Sequence, residues 1–432
     1  MTEYAHGFLI REDDCAGCMA CMRACPTDAI RVREGKARAI NELCIDCGAC
    51  LTTCSQGAIL PTSRTLDEFG DYAFKVAVPS PVLFGQFPLE VRPEHIAHGL
   101  LAVGFDAVWD FGVDLRLSTL AIADYVDKWS GPRPVISITC PVVVRLLQVS
   151  YPKLLEQLIR MKPPREIAGS AVKRHYSLEL GLPEEQIAAI YVAACQAKTV
   201  SIEQPAEGGR SALDGSVGIP QIYNSVLAAA RDAAKQGEVR ADFDPVRSAS
   251  MVSWSTPRPL ADLPRHHRYM SVTGLPNVIQ VFDDVEKGRL KNIDYLECSA
   301  CWAGCGNGNL TVDNVYLSQA KLQSLAKDLP STDPITEAEV ARRYPNEDFS
   351  IEHAPEPRTT VVVGDLRERV RRMQEAGRIE SLLPGLDCGL CGAPSCRVMA
   401  HDVTSGHASK GDCVFLSKRR IDELRRLYLR KT

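Results

Sequence analysis

Apolar and polar positions along this chain follow two rhythms. From Phe74 onward, short apolar runs alternate with stretches whose apolar residues recur every three or four positions. "FKVAVPSPV", "AVWDFG", "PVISITCP" and "AAIYVAACQ" predict strands, while "EHIAHGLLAV", "STLAIADYVDKW" and "PKLLEQLIRM" predict helices. Such alternation predicts an α/β core with largely parallel strands. Shorter strands, "AIRV" and "AIL", sit near the N-terminus. The segment 328–358, rich in Pro, Glu and Asp, reads as a linker or surface excursion. Near the C-terminus, "LRERVRRMQEAGRIESLLPGLDCG" predicts a helix leading into a cysteine cluster. The tail "KRRIDELRRLYLRKT" predicts a basic helix with Ile421, Leu424, Leu427 and Tyr428 on one stripe, which packs on its own domain or docks a partner. The pattern divides the chain into residues 1–70, 71–327, 328–358 and 359–432, a multidomain protein of α/β and α+β class.

Composition narrows the class. The 432 residues leave room for two or three domains, and at 45% hydrophobic they can bury real cores. A net charge of −4 offers no basic footprint for nucleic acid. No apolar run approaches a membrane span, and "MTEYAHGFLIREDDC" lacks the apolar core of a signal peptide. A cytoplasmic protein is expected. Its seventeen cysteines are then poor candidates for disulfides and fall at spacings suited to metal.

The spacing decides between metals. Cys15, Cys18, Cys21 and Cys25 stand at C-x2-C-x2-C-x3-C, and Cys44, Cys47, Cys50 and Cys54 repeat it. Zinc takes paired C-x2-C units, whereas this run offers three thiolates to one iron–sulfur cube and a fourth to its neighbour, as in bacterial two-cluster ferredoxins. On that pattern Cys15, Cys18, Cys21 and Cys54 hold one [4Fe–4S] cluster, and Cys44, Cys47, Cys50 and Cys25 the second. Ser55 replaces the proline that follows the first run. Cys388, Cys391, Cys396 and Cys413 form a third set, with Gly389, Gly392 and Pro394 letting the backbone wind around a metal. This set resembles the small [4Fe–4S] domain of corrinoid iron–sulfur proteins and electron-transport subunits; zinc remains an alternative there.

Cys140, Cys195, Cys298, Cys301 and Cys305 are left. Cys140 and Cys195 each fall just past a predicted strand, where parallel α/β folds place their sites. The stretch from about Val76 to Leu310 resembles the H-cluster domain of [FeFe]-hydrogenases. "ITCPVVVRLLQVSYPKLLEQL" is similar to the family signature T-S-C-C-P-x-W and its following helix, "AACQAK" to P-C-x-x-K, and "ECSACWAGCGNGN" to E-x-x-A-C-x-x-G-C-x-x-G-G. "VAVPSPV" and "GFDAVWDFGVDL" agree as well. The resemblance implies that Cys140, Cys195, Cys301 and Cys305 hold a fourth [4Fe–4S] cube. Cys305 would also bridge to a two-iron unit carrying CO, CN and an azadithiolate, and Lys198 would bond a cyanide. Gly304 and Gly306 would let the backbone pass the metal. Cys298 is left over, as a buried inert thiol, a proton donor or an alternative ligand.

The departures from the family gather on its proton relay. Thr139 stands where the relay has a thiol, Leu117 to Leu120 and Ala123 where it has carboxylates, and Pro163 near its serine. A relay needs groups that titrate within hydrogen-bond reach, so slow H2 chemistry is expected. Asn307 and Asn309 replace glycine-like positions. The combination resembles the slow, H2-sensing members of the family, which share this layout. It implies H2 as ligand, maturases to supply the two-iron unit, and a separate redox or signalling partner protein. Two other readings stand beside it. One is an electron-transfer or assembly protein of the same fold without the two-iron unit. The other is a fast hydrogenase with a different proton path, through Cys298 for example.

Overall fold

The computed structural model describes residues 6–206, 208–237, 246–254, 267–358 and 366–418. The chain folds into two units. One comprises Met1–Gly7 with Pro61–Glu356, the other Phe8–Leu60 with Pro357–Thr432. The N-terminal segment from Phe8 to Leu60 and the C-terminal segment therefore share a unit. No helix among the described residues is long and apolar enough to cross a membrane.

The smaller unit begins with β1 (Phe8–Ile10), α1 (Ala20–Ala24), β2 (Ile30–Arg33), β3 (Lys36–Ala39), α2 (Ala49–Thr53) and β4 (Ile59–Pro61), with β1 paired to β4 and β2 antiparallel to β3. Its pseudo-symmetry extends to backbone angles. Met19 and Gly48, one before each short helix, are both left-handed, at φ 66° and 75°.

The larger unit is an α/β core. It runs through β5 (Phe74–Pro79), α3 (Pro93–Ala102), β6 (Ala107–Val108), α4 (Phe111–Lys128), β7 (Val135–Ile136), α5 (Pro141–Ser150), α6 (Pro164–Leu180), β8 (Ile187–Ala193), α7 (Gln196–Glu203) and β9 (Gly215–Gly218). It continues with α8 (Ile219–Gln236), α9 (Ala249–Ser253), β10 (Tyr269–Thr273), α10 (Leu275–Glu286), β11 (Tyr295–Ser299), α11 (Val315–Lys327) and α12 (Pro334–Arg343). The strands form two sheets, β6-β5-β8-β9 and β10-β11-β7, and every pair in them is parallel. β8 is buried at all seven positions. A parallel strand covered on both faces has no polar side, which is why "IAAIYVA" carries no alternation.

Two expectations change. "PKLLEQLIRM" does not make a full helix. The α-helix is α5, upstream, and Pro152–Gln157 form only a 3-10 turn before Leu158 turns extended. Residues 328–358 are not a loose linker. Asp333 caps α12, accepting from the Thr336 amide at 2.8 Å. Val340 then packs with Val113 and Leu117 of α4. Arg343 donates to buried Asp114 at 2.8 Å and to Glu347 at 3.1 Å, so the segment as far as Glu356 belongs to the larger unit. The smaller unit resumes with α13 (Leu366–Leu382), the expected lead-in helix, and α14 (Cys396–Thr404). The tail stripe Ile421 to Tyr428 lies outside the described residues.

Candidate metal centres

Three loops from two sheets converge in the larger unit. Cys140 follows β7 and stands at the N-terminus of α5; Cys195 follows β8 and stands at the N-terminus of α7. Cys301 and Cys305 lie on the loop after β11. That loop closes on the β8 end. The Leu310 amide donates to the Ala194 carbonyl at 3.0 Å, and a Cβ on Gly308 would meet that carbonyl oxygen at 2.1 Å. The close approach therefore falls to Gly308 rather than Gly306, whose added Cβ would meet only Val315 at 3.5 Å. Gly304 does need its freedom, at φ 86°.

The four thiols feel one another. Their side chains are partly exposed, yet protein encloses them further out. That enclosure pushes Cys140 up to about 11 against the amides of Ala300 and Val143, and the nearby Cys305 and Cys195 thiols push the same way. Cys195 is likewise raised by burial, while the Lys198 ammonium and the Lys198 and Ala197 amides pull it back. Cys301 is raised well above the ordinary thiol range by burial, with Cys195, Cys305 and Cys140 adding to it. Four thiolates in such a place need a compensating cation, and metal binding removes their protons. The donor set fits an iron–sulfur cube.

Beside Cys305 lies a small, largely apolar cavity whose wall includes Thr139, Tyr191, Arg165, Lys198 and Trp254. Lys198 Nζ lies 3.5 Å from the Tyr191 hydroxyl and 5.7 Å from its ring centroid. Burial works against its charge, but Tyr191, Cys305 and Cys195 outweigh that and leave it raised above the ordinary lysine range. Arg165, buried, donates to Ser201 at 3.1 Å. Two cations and a thiol on an apolar wall suit an anionic group bonded to Cys305.

Thr139 leads to groups the sequence reading did not weigh. Ser137 Oγ donates to Glu297 Oε1 at 2.9 Å and lies 3.0 Å from Thr139 Oγ1; Tyr295 OH donates to Glu297 Oε2 at 2.9 Å. Burial pushes Glu297 up to about 7, against the bonds from Ser137 and Tyr295. A titratable carboxyl thus stands two hydrogen bonds from Thr139. Glu297 lies outside the positions compared with the family's relay, which carry no titratable side chain. Glu297 is the first letter of E-x-x-A-C, which was the available signal. Cys298 follows it on β11, fully buried and raised above the thiol range by burial and by Glu297.

The smaller unit brings together the other three sets. Cys15, Cys18, Cys21 and Cys54 line one pocket. Cys44 and Cys50 each lie in the field of Cys47 and Cys25. Cys388, Cys391, Cys396 and Cys413 line another pocket, where Gly389 and Gly392 have φ 79° and 80°. There the Cys396 amide donates to Asp387 at 2.6 Å, and Ser395 caps α14 by accepting from Val398 at 3.1 Å.

Three sequence families match this chain. Residues 8–55 match the 4Fe-4S dicluster domain, residues 73–217 the iron only hydrogenase large subunit, C-terminal domain, and residues 383–415 the family described as "Putative Fe-S cluster". The NADP-reducing hydrogenase subunit HndD of Solidesulfovibrio fructosivorans is 23% identical over 46% of this chain and 40% of its own length. Iron hydrogenase 1 of Clostridium pasteurianum is 31% identical over 24% of this chain and 19% of its own. The cytosolic Fe-S cluster assembly factor NAR1 of Yarrowia lipolytica is 26% identical over 30% of each chain. In each case the match spans less than half of the relative.

Proposed function

From a chain that carries an iron-only hydrogenase large-subunit domain between two iron–sulfur segments, we propose a slow, H2-sensing [FeFe]-hydrogenase-like protein. It exchanges electrons between H2 and four [4Fe–4S] cubes and passes the signal to a redox or signalling partner protein. The observation that carries this reading is the cavity lined by Lys198, Arg165 and the Cys305 thiol together.

When bound there, a two-iron unit would supply the metal that takes up H2. The residues of the chain do the rest. Cys140, Cys195, Cys301 and Cys305 hold the cube, with Cys305 shared between cube and cavity. Lys198 holds its proton and would pair with a cyanide of the bound unit, a charge-assisted bond that strengthens away from water. Phe111, Leu115 and Trp254 keep the wall apolar. Thr139 exchanges a proton with Ser137 and Glu297 through hydroxyl groups, which is slower than a thiol with carboxylates in line.

Infrared spectra of protein treated with hydrogenase maturases test this directly. CO and CN bands are expected in the wild type. Lys198→Ala leaves the anion unpaired, so the bands should weaken or vanish while iron in the cubes stays. A wild type without bands, matched by the mutant in every respect, would sink the reading. The result would then favour a cluster-only electron-transfer or assembly protein, a reading supported by the likeness to NAR1.

A further inference from the structure

The C-terminal cysteine turn and the first ferredoxin repeat meet within the smaller unit, through residues far apart in sequence. β2 offers two arginines. Arg31 forks onto Asp402 of α14, Nε to Oδ2 at 2.6 Å and Nη2 to Oδ1 at 2.9 Å, with both side chains under a tenth exposed. Arg33 adds bonds to Asp402 at 3.2 Å and to the Cys391 carbonyl at 3.2 Å. Arg23, in α1, donates to the Cys388 carbonyl at 3.3 Å. A bidentate buried pair of this kind fixes register more than it adds stability.

Backbone meets backbone between those arginines. The Val32 amide donates to the Gly392 carbonyl at 3.1 Å. A Cβ on Gly392 would lie 2.0 Å from the Val32 oxygen, and one on Gly389 would lie 3.0 Å from Met22 Cε and 3.4 Å from Met19 Sδ. Val32 and Met19 themselves line the pocket of Cys15, Cys18, Cys21 and Cys54, and Gly389 lines that of the C-terminal cysteines. One layer of protein therefore separates the two pockets.

We propose that the C-terminal cube is fixed beside the first ferredoxin cube, the one held by Cys15, Cys18, Cys21 and Cys54, and exchanges electrons with it directly. The step moves one electron from a reduced cube to an oxidised one. All cysteines stay ligated, no bond breaks and no proton is needed. The electron originates in H2 or in a one-electron carrier protein. Tunnelling falls exponentially with distance, so a partner held one layer away determines the order of transfer. The proposal rests on the cluster reading of these two sites and is independent of the two-iron unit.

Electron paramagnetic resonance of the full chain, reduced with dithionite, tests it. Two reduced cubes this close should couple, so the wild-type spectrum should be split and broadened beyond a sum of isolated cubes. Cys391→Ser with Cys396→Ser should sharpen the first-cube signal. Cys18→Ser should sharpen the C-terminal one, while Cys47→Ser, at the second cube, should leave their mutual splitting in place. Asp402→Asn should reduce the splitting with iron content unchanged. An additive wild-type spectrum at full iron content overturns the proposal without touching the cluster reading, and it needs no variant to fold. So does a C-terminal splitting that Cys47→Ser abolishes and Cys18→Ser does not. Iron missing from either site in the wild type would overturn the cluster reading itself, and the proposal with it.

Discussion

On the proposed reading, Glu297 is the side chain on which the proton chemistry of the central site turns. Burial raises it to about 7, near the value at which a carboxyl can both give and take a proton in neutral solution. Its bonds to Ser137 and Tyr295 fix both oxygens. Glu297→Gln keeps the shape and removes the exchange, so H2 turnover of maturated protein should fall at least about tenfold with CO and CN bands unchanged. In the wild type, H2 uptake needs the carboxylate and should rise as pH passes through about 7; in the glutamine variant that inflection should be gone. Stability follows the opposite sense. The folded value lies above that of a free glutamate, so the contribution is full below the unfolded value and fades as pH rises through the folded one. Glu297→Gln should thus gain on the wild type most at alkaline pH, as read by thermal unfolding. Thr139→Cys should raise turnover modestly, and an unchanged rate with intact bands would place the limiting step elsewhere. The cysteines of this site could be grouped through the resemblance of the segments around them to the hydrogenase signatures. The Glu297 chain could not, because Ser137 lies in the loop just past β7, 160 positions away, and nothing local marks that pairing.

α12 illustrates how composition misleads about an element. Asp333 and Pro334 form a standard helix start, but the helix's apolar face is little more than Val340. A helix so polar looks like a linker. What holds it is charge: Arg343, 9% exposed, on Asp114, 0% exposed, with Trp109 Nε1 donating to the same carboxylate at 2.7 Å. Burial raises the Asp114 carboxyl and Arg343 draws it back. Removing one partner of a buried pair leaves the other uncompensated, which costs about 3–5 kcal/mol. Arg343→Ala should therefore lower the unfolding midpoint of the larger unit sharply. Adding Asp114→Asn should recover part of that loss. If the two substitutions simply add, the ion pair is not what docks α12 on α4.

The two ends of the chain, read as separate domains from their cysteine runs, share one unit because of contacts such as Arg31 to Asp402, which are 371 positions apart. Each run displayed its own motif, and nothing in either motif names a partner surface. The α/β class of the larger unit was legible because parallel, doubly covered strands leave long apolar runs, as in β8. The same reasoning makes a prediction for the chain as a unit. If every cysteine except Cys298 is a cluster ligand, iron and acid-labile sulfide should each approach about sixteen per chain before maturation, and the two-iron unit should add iron without sulfide. Cys→Ser pairs at one set should each remove about four of both and leave the remainder. Cys298→Ser should remove none, since its side chain is fully buried on β11 and the four cysteines of this set are already supplied by Cys140, Cys195, Cys301 and Cys305. Zinc in place of iron at Cys388, Cys391, Cys396 and Cys413 would end the C-terminal assignment. Loss of iron in Cys298→Ser, with the fold intact by circular dichroism, would make Cys298 a ligand and require one of the other sixteen to be given up.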